Sequence, residues 1–194
     1  MKKVKEILLT AILLACTVLA VQAQTLPRLS HADATYLLQR SLGSWQVSES
    51  VWQPTQKSVM TCAGKAVYKA SDKDIAVHEH CEIQLPDGAS DAHDGYLRYS
   101  TTNNQFEFVK EEAATGKAVK LFTGHWFPEF NTLLMFEVRP KGTKLFKKFR
   151  PQQWRYVFQN NGTFSKLVHQ PDEHGNMLLM HKSNYTPLPI ADAE

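Results

Sequence analysis

The chain has 194 residues, 43% of them hydrophobic and 21% charged, with a formal net charge of +3. Residues 1–23 hold three lysines and one glutamate, so +2 of that charge sits at the N-terminus and the remaining 171 residues are near +1. A nearly neutral chain of that size is one domain with an adequate core, and its charge makes no general case for nucleic acid or an anionic membrane as partner.

The N-terminus reads as an export signal. Lys2, Lys3 and Lys5 precede the apolar run from Ile7 to Val21, and Val21-Gln22-Ala23 places small residues at the −3 and −1 positions, so cleavage is expected after Ala23. The run is too short, and too soon followed by polar residues, to cross a membrane. A lipoprotein signal ending at Cys16 is the rival reading, but the apolar "TVLAV" continues where a mature lipoprotein turns polar. A periplasmic or secreted location follows, with Cys62 and Cys81 in oxidising surroundings where a disulfide is expected. Closing a loop of about 20 residues would contribute on the order of 3 kcal/mol.

In chain order, the first element is a helix. Ser30 is its N-cap, Asp33 sits in the first turn, Leu37, Leu38 and Leu42 form an apolar face, and Gly43 marks the stop. Strands are expected at 45–52, 59–70 and 75–85. After the turn "PDGASDAHDG" they follow at 96–101, 105–111, 117–126, 132–139, 153–159, 163–170 and 177–185. Ten short strands joined by hairpin-length turns predict an all-β fold: a single antiparallel up-and-down barrel over 24–186, with a short N-terminal helix and a tail at 187–194. Arg139, Lys141, Lys144, Lys147, Lys148 and Arg150 crowd one connection, which reads as a solvated hairpin with lysines guarding an edge.

"LGSWQV", with Gly43-x-Trp45 opening the first strand after a short helix, resembles the start of lipocalin-type barrels. The order "GSW", "GYLRYS", "FEFV", "LFTGHW" and "WRYVFQNNGTF" is similar to exported calycin-like proteins of unknown function. The resemblance implies a barrel with an internal cavity whose closed end is built from Gly43, Trp45 and an arginine, here Arg155 or else Arg150. It implies no particular activity.

"IAVHEHCEIQL" carries the densest chemistry. Strand alternation places Val77, Glu79, Cys81 and Ile83 on one face and His78, His80 and Glu82 on the other. If Ser71 and Asp72 form the turn, Cys62 and Cys81 lie opposite each other. His78 and His80 offer two zinc ligands with Glu82 as a third; the alternative is a polar, solvated outer face. Glu79, and likewise Glu49 among Trp45, Val47 and Val51, places a carboxylate on an apolar face. It calls there for a partner such as Arg155 or Tyr156, for a ligand, or for acid–base work at a pKa raised by burial. Phe122, His125 and Trp126 in "LFTGHWFPEFN" either rim a cavity mouth or fill the core. A non-covalent haem would find an axial ligand in His125, His169 or His181.

The function expected is binding of a small apolar or amphipathic ligand by Glu49, Glu79, Phe122, His125, Trp126 and Tyr156, without a cofactor. A metal or haem barrel and a small hydrolase or isomerase using Glu79 or Glu49 are the alternatives.

Overall fold

A computed structural model describes residues 28–71, 75–112, 115–139 and 149–188. The expected signal peptide and cleavage site, the tail after 188 and the lysines of the basic connection lie outside the described residues. Helix α1 spans His31–Gln39, with Ser30 accepting a hydrogen bond from the Asp33 amide and Ala34, Leu37 and Leu38 buried. Ten strands follow: β1 (Gly43–Gln53), β2 (Ser58–Ala70), β3 (Ala76–Gln84), β4 (Ser90–Ser100), β5 (Gln105–Glu111), β6 (Ala118–Phe127), β7 (Thr132–Glu137), β8 (Gln153–Phe158), β9 (Phe164–Pro171) and β10 (Met177–Pro187).

Each strand pairs antiparallel with its neighbours in sequence, and β10 returns to β1, closing the barrel. Closure leaves no free sheet edge. The fold class and strand count are those the sequence predicts. Two segments differ. The stretch 86–95, expected as a turn, is a turn only through Ala89, held by Leu85 N–H to Ala89 C=O at 2.8 Å. From Ser90 the chain is already β4, with His93 opposite Cys81 and Gly95 opposite Glu79. Its polar residues pointed to a loop; Asp91 and His93 line a polar part of the barrel instead.

The second difference concerns the thiols. Ser71 N–H reaches Ala76 C=O at 2.9 Å, so the β2–β3 connection is wider than a two-residue turn at Ser71–Asp72. The register is displaced by four residues, and Cys81 stands opposite Ala66 rather than Cys62. Four residues is an even slip, so both thiols still face inward. They are, however, about 13 Å apart along the strand direction, beyond the roughly 7 Å that a disulfide spans between Cα atoms. Cys62 and Cys81 are free and buried.

The interior changes character along its length. At the α1 end, Phe164 stacks on Tyr185 with centroids 4.2 Å apart and meets the edge of Trp45 at 4.8 Å. The Trp45 indole donates to Ser41 C=O at 2.9 Å, fixing the plug between helix and barrel. Arg155 is not its partner. Trp154, Tyr156 and Phe158 alternate inward, which turns Arg155 to the outer face, where it donates to Gln153 Oε1. Arg40, at the end of α1, is the arginine of this end, 4.8 Å from the Phe158 ring and bonded to Asn131 Oδ1.

Candidate functional site

Glu79 is the polar centre of the interior. Alternation along β3 forces it inward between Val77 and Cys81, and it is completely buried. Such a carboxylate is costly unless donors replace its water. Lys166 Nζ lies 2.8 Å from Oε1, His93 Nε2 lies 3.2 Å from the same oxygen, and the Tyr156 hydroxyl donates to Oε2 at 3.2 Å. Burial pushes the Glu79 carboxyl up, but the Lys166 ammonium and the His93 hydrogen bond outweigh it and hold it at about 2. Burial and the Glu79 charge together push the phenols of Tyr68, Tyr156 and Tyr185 well above their ordinary range.

Lys166 reaches Glu79 from β9, and its side chain is 6% exposed. Its ammonium sits 4.1 Å from the Trp154 ring and 5.2 Å from Tyr156, so aromatic faces take the place of solvent on its other sides. Trp154 is backed in turn by Phe122, stacked at 3.7 Å. Gly95 makes room for the wall opposite: a Cβ there would stand 2.3 Å from the Phe108 ring, so only glycine lets that ring lie across β4.

A second carboxylate, Glu49 on β1, accepts from Ser183 Oγ at 3.4 Å and pairs with His181 Nδ1 at 3.1 Å, both through Oε1. Burial raises its carboxyl, while the His181 hydrogen bond and the charges of His181 and His93 bring it below its ordinary value. Burial was expected to raise both glutamates. The facing hydrogen-bond donors and charges reverse the sign.

Glu49, His93, Lys166, His181 and Ser183 stand around an opening of about 400 Å³, within the range of small-molecule sites. Its apolar wall is made by Ile83, Leu85, Phe108, Leu121, Trp154 and Val168. Leu121 enters it through a bulge: Phe108 faces Phe122 and Val109 faces Lys120, leaving Leu121 without a counterpart. Asp91 and Lys110 complete the lining on one side, Gln152 and Gln170 on the other.

Of the ligand candidates named from sequence, Glu49 lines this cavity. Glu79, Phe122 and Tyr156 form the buried layer behind it. His125 and Trp126 lie elsewhere, in a groove of about 240 Å³ between α1 and the barrel that also includes Leu29, Tyr36 and Phe106. His78 and His80 share the outer face of β3 as expected. Both turn to Asp94 Oδ1, at 3.4 and 2.8 Å, while Glu82 accepts from Ser90. Among the described residues, no group of three or more His, Cys, Asp or Glu side chains is placed to hold a metal ion.

Sequence reasoning missed His93, because it fell in the supposed turn. It missed Lys166 although the signal was present: in "TFSKLVHQ" a lysine alternates with Phe164 and Val168. A lone cation on an apolar face is the natural complement of the lone anion at Glu79. Glu107 was missed as well. Its carboxylate lies on the outer face of β5 yet is only 1% exposed, roofed by Arg98 and Lys120, both ion-paired to it.

The fold and interior define a class: a closed ten-stranded antiparallel barrel, aromatic at one end and carrying an ionic cavity in the remainder. No known family pattern matches the sequence, and no curated protein matches it. Among solved structures, the barrel is similar to the crystal structure of Rv2717c from M. tuberculosis, with a TM-score of 0.53 at 13% identity over 80% of this chain and 97% of that one. That likeness extends to the fold.

Proposed function

We propose that this protein is an exported carrier or sensor that binds a small amphipathic molecule inside the barrel, without turning it over. The observation that carries the reading is the cavity of about 400 Å³, which sets an apolar wall of Phe108, Trp154 and Val168 against a polar group of Glu49, His93, His181 and Ser183. A site of this kind fixes a ligand's apolar body by burial and its head by a few hydrogen bonds. Lipocalin-type barrels use their interiors in the same manner, and the Gly43-x-Trp45 opening supports that kinship.

The electrostatics weigh against acid–base catalysis. Glu79 is held at about 2 and its oxygens are occupied by Lys166, His93 and Tyr156. A general base working near neutral pH needs a carboxyl tuned upward.

A second reading, a metal-centred ligand, gains one specific observation. The Glu49 carboxylate fixes His181 through Nδ1, the arrangement by which proteins orient a ligating imidazole. It moves the haem or metal alternative from the outer pair His78 and His80 to a single cavity histidine.

Native mass spectrometry of the protein recovered from its exporting host tests all of this. A mature chain beginning near Gln24 and carrying a small organic mass that is lost on denaturation is the expected result. A metal mass or a Soret band replaces the first reading with the second. A chain devoid of extra mass that also fails to bind amphipathic probes overturns both.

A further inference from the structure

The cavity lining has a charge bias that the protein as a whole lacks. Three carboxylates belong to it: Glu49 and Asp91 in the lining and Glu79 directly behind, whereas Asp94 turns its carboxylate outward to His78 and His80. Two ammonium groups, Lys110 and Lys166, face them. Carboxylates outnumber ammonium groups here by one, inside a chain whose residues after 23 are near +1.

The free hydrogen-bonding capacity points the same way. Lys166 is turned to Glu79 and to the faces of Trp154 and Tyr156. Glu49 spends only Oε1 on His181 and Ser183, and among the described residues Oε2 accepts no hydrogen bond. The Glu49 side chain is 16% exposed, and it lines the opening. The carboxylates also fix Nδ1 of His181 and Nε2 of His93 as donors, so in the neutral rings the remaining nitrogens are acceptors. At Glu49 the unmet need is therefore a donor for Oε2.

We infer that the ligand is a cationic amphiphile, an aryl- or alkylammonium compound whose charged nitrogen donates to Glu49 while its apolar body lies against Phe108, Trp154 and Val168. This rests on the cavity-binding reading and narrows it to one head-group chemistry. An anionic amphiphile such as a fatty acid would set a further negative charge against Glu49 and Asp91 in a partly desolvated space.

Calorimetric titration of the purified protein with two matched series separates the claims. One series is tryptamine, tryptophol and indole-3-propionate; the other is octylamine, octanol and octanoate. Each series holds the apolar body nearly constant and changes the head. The amines are expected to bind at least about tenfold more tightly than the alcohols, as a hydrogen bond to a buried charge provides, with the carboxylates weakest. Glu49→Gln is expected to reduce the preference for amines over alcohols below about threefold, with the circular dichroism spectrum unchanged. Should that variant fail to fold, Asp91→Lys on the exposed rim is expected to weaken the amines by roughly threefold or more, with the alcohols unaffected.

Alcohols or carboxylates that bind as tightly as the amines overturn the inference and leave the cavity reading in place. So does an amine preference that survives both variants. Failure of all six probes to bind overturns the inference and the cavity reading together.

Discussion

At the closed end of the barrel Trp45, Tyr68, Phe158, Phe164 and Tyr185 meet ring to ring. A few residues further along the same strands, the interior holds Glu49, Glu79, His93, Lys166 and Ser183 around an opening. Single strands show the change. On β9 the inward positions run Phe164, Lys166, Val168, Gln170, and on β10 they run Tyr185, Ser183, His181. One end excludes water by shape, the other by matching charges. The closed end is therefore expected to be tolerant of ionic conditions and intolerant of lost volume, and the open end the reverse.

The largest effect belongs to the ion pair. Lys166→Met leaves Glu79 buried without its ammonium partner, and should cost about 4 kcal/mol of stability in urea unfolding. The double variant Glu79→Leu/Lys166→Met removes both charges from the same space and should recover most of that loss. If the two single losses simply add, the pair is not a unit and the contrast between the two ends is misdrawn. Next comes Phe164→Ala, which deletes a ring in contact with Trp45, Tyr68, Phe158 and Tyr185 and should cost roughly 3–4 kcal/mol. Val168→Ala, two residue pairs along the same face and half-buried, should cost about 1 kcal/mol and show its effect in ligand affinity instead. Equal losses at 164 and 168 would mean that the cavity is as tightly packed as the plug.

These contrasts bear on how much the amino-acid sequence discloses. Period-two alternation was enough to read ten strands, the closed barrel and the inward direction of Glu49 and Glu79, because side-chain direction in a strand is a local property. It also contained the outward direction of Arg155, since Trp154, Tyr156 and Phe158 take the inward positions; the lipocalin-like resemblance pointed the other way. Register was not legible. It depends on the width of the 71–76 connection, and an even slip leaves every face assignment intact while separating Cys62 from Cys81. The pairing of Glu79 with Lys166 joins β3 to β9 across the barrel, and no periodicity within either strand encodes a partner that distant. His93 was hidden because Asp, Gly and Ser near it have the composition of a turn, which polar residues facing a polar cavity also have.

Acid unfolding sharpens the comparison further. The Glu79 carboxyl is held at about 2 against an ordinary value of 4.5, so the native state keeps it charged where the unfolded chain takes up a proton. Its contribution is fully present above about pH 4.5 and is lost as the pH falls toward 2, up to about 3 kcal/mol in all. Glu107 titrates over the same window, because Lys120 and Arg98 overcome its burial and hold it also at about 2. Those two cations are about one-third exposed, so solvent screens the outer cluster and its share should be the smaller. Stability curves from pH 6 to 2 should therefore flatten more in Glu79→Leu/Lys166→Met than in Glu107→Gln. The opposite order would place the barrel's main electrostatic support on its outer face.

The smallest expected effect is that of reduction. Cys62 and Cys81 lie one behind the other on adjacent strands of the open half, and burial and the Glu79 charge push the Cys81 thiol up to about 12. Burial, with the Glu49 charge, also raises Cys62. At pH 8 almost no Cys81 thiolate exists to be attacked or oxidised. A thiol-specific reagent should therefore find both thiols silent in the native protein and reactive after unfolding. Reduction should move the thermal midpoint by less than about 1 °C, since no covalent loop is opened. A denatured mass two hydrogens below the fully reduced value, or a drop of several degrees with reductant, would require β2 to slide four residues along β3. That shift would displace Gly64 from its close fit against Glu82 and Ile83, where an added Cβ would stand about 2.4 Å from the Glu82 carbonyl. The tight approach at Gly64 thus fixes the register that keeps the two thiols apart, and thiol reactivity is the most sensitive measure of whether it holds.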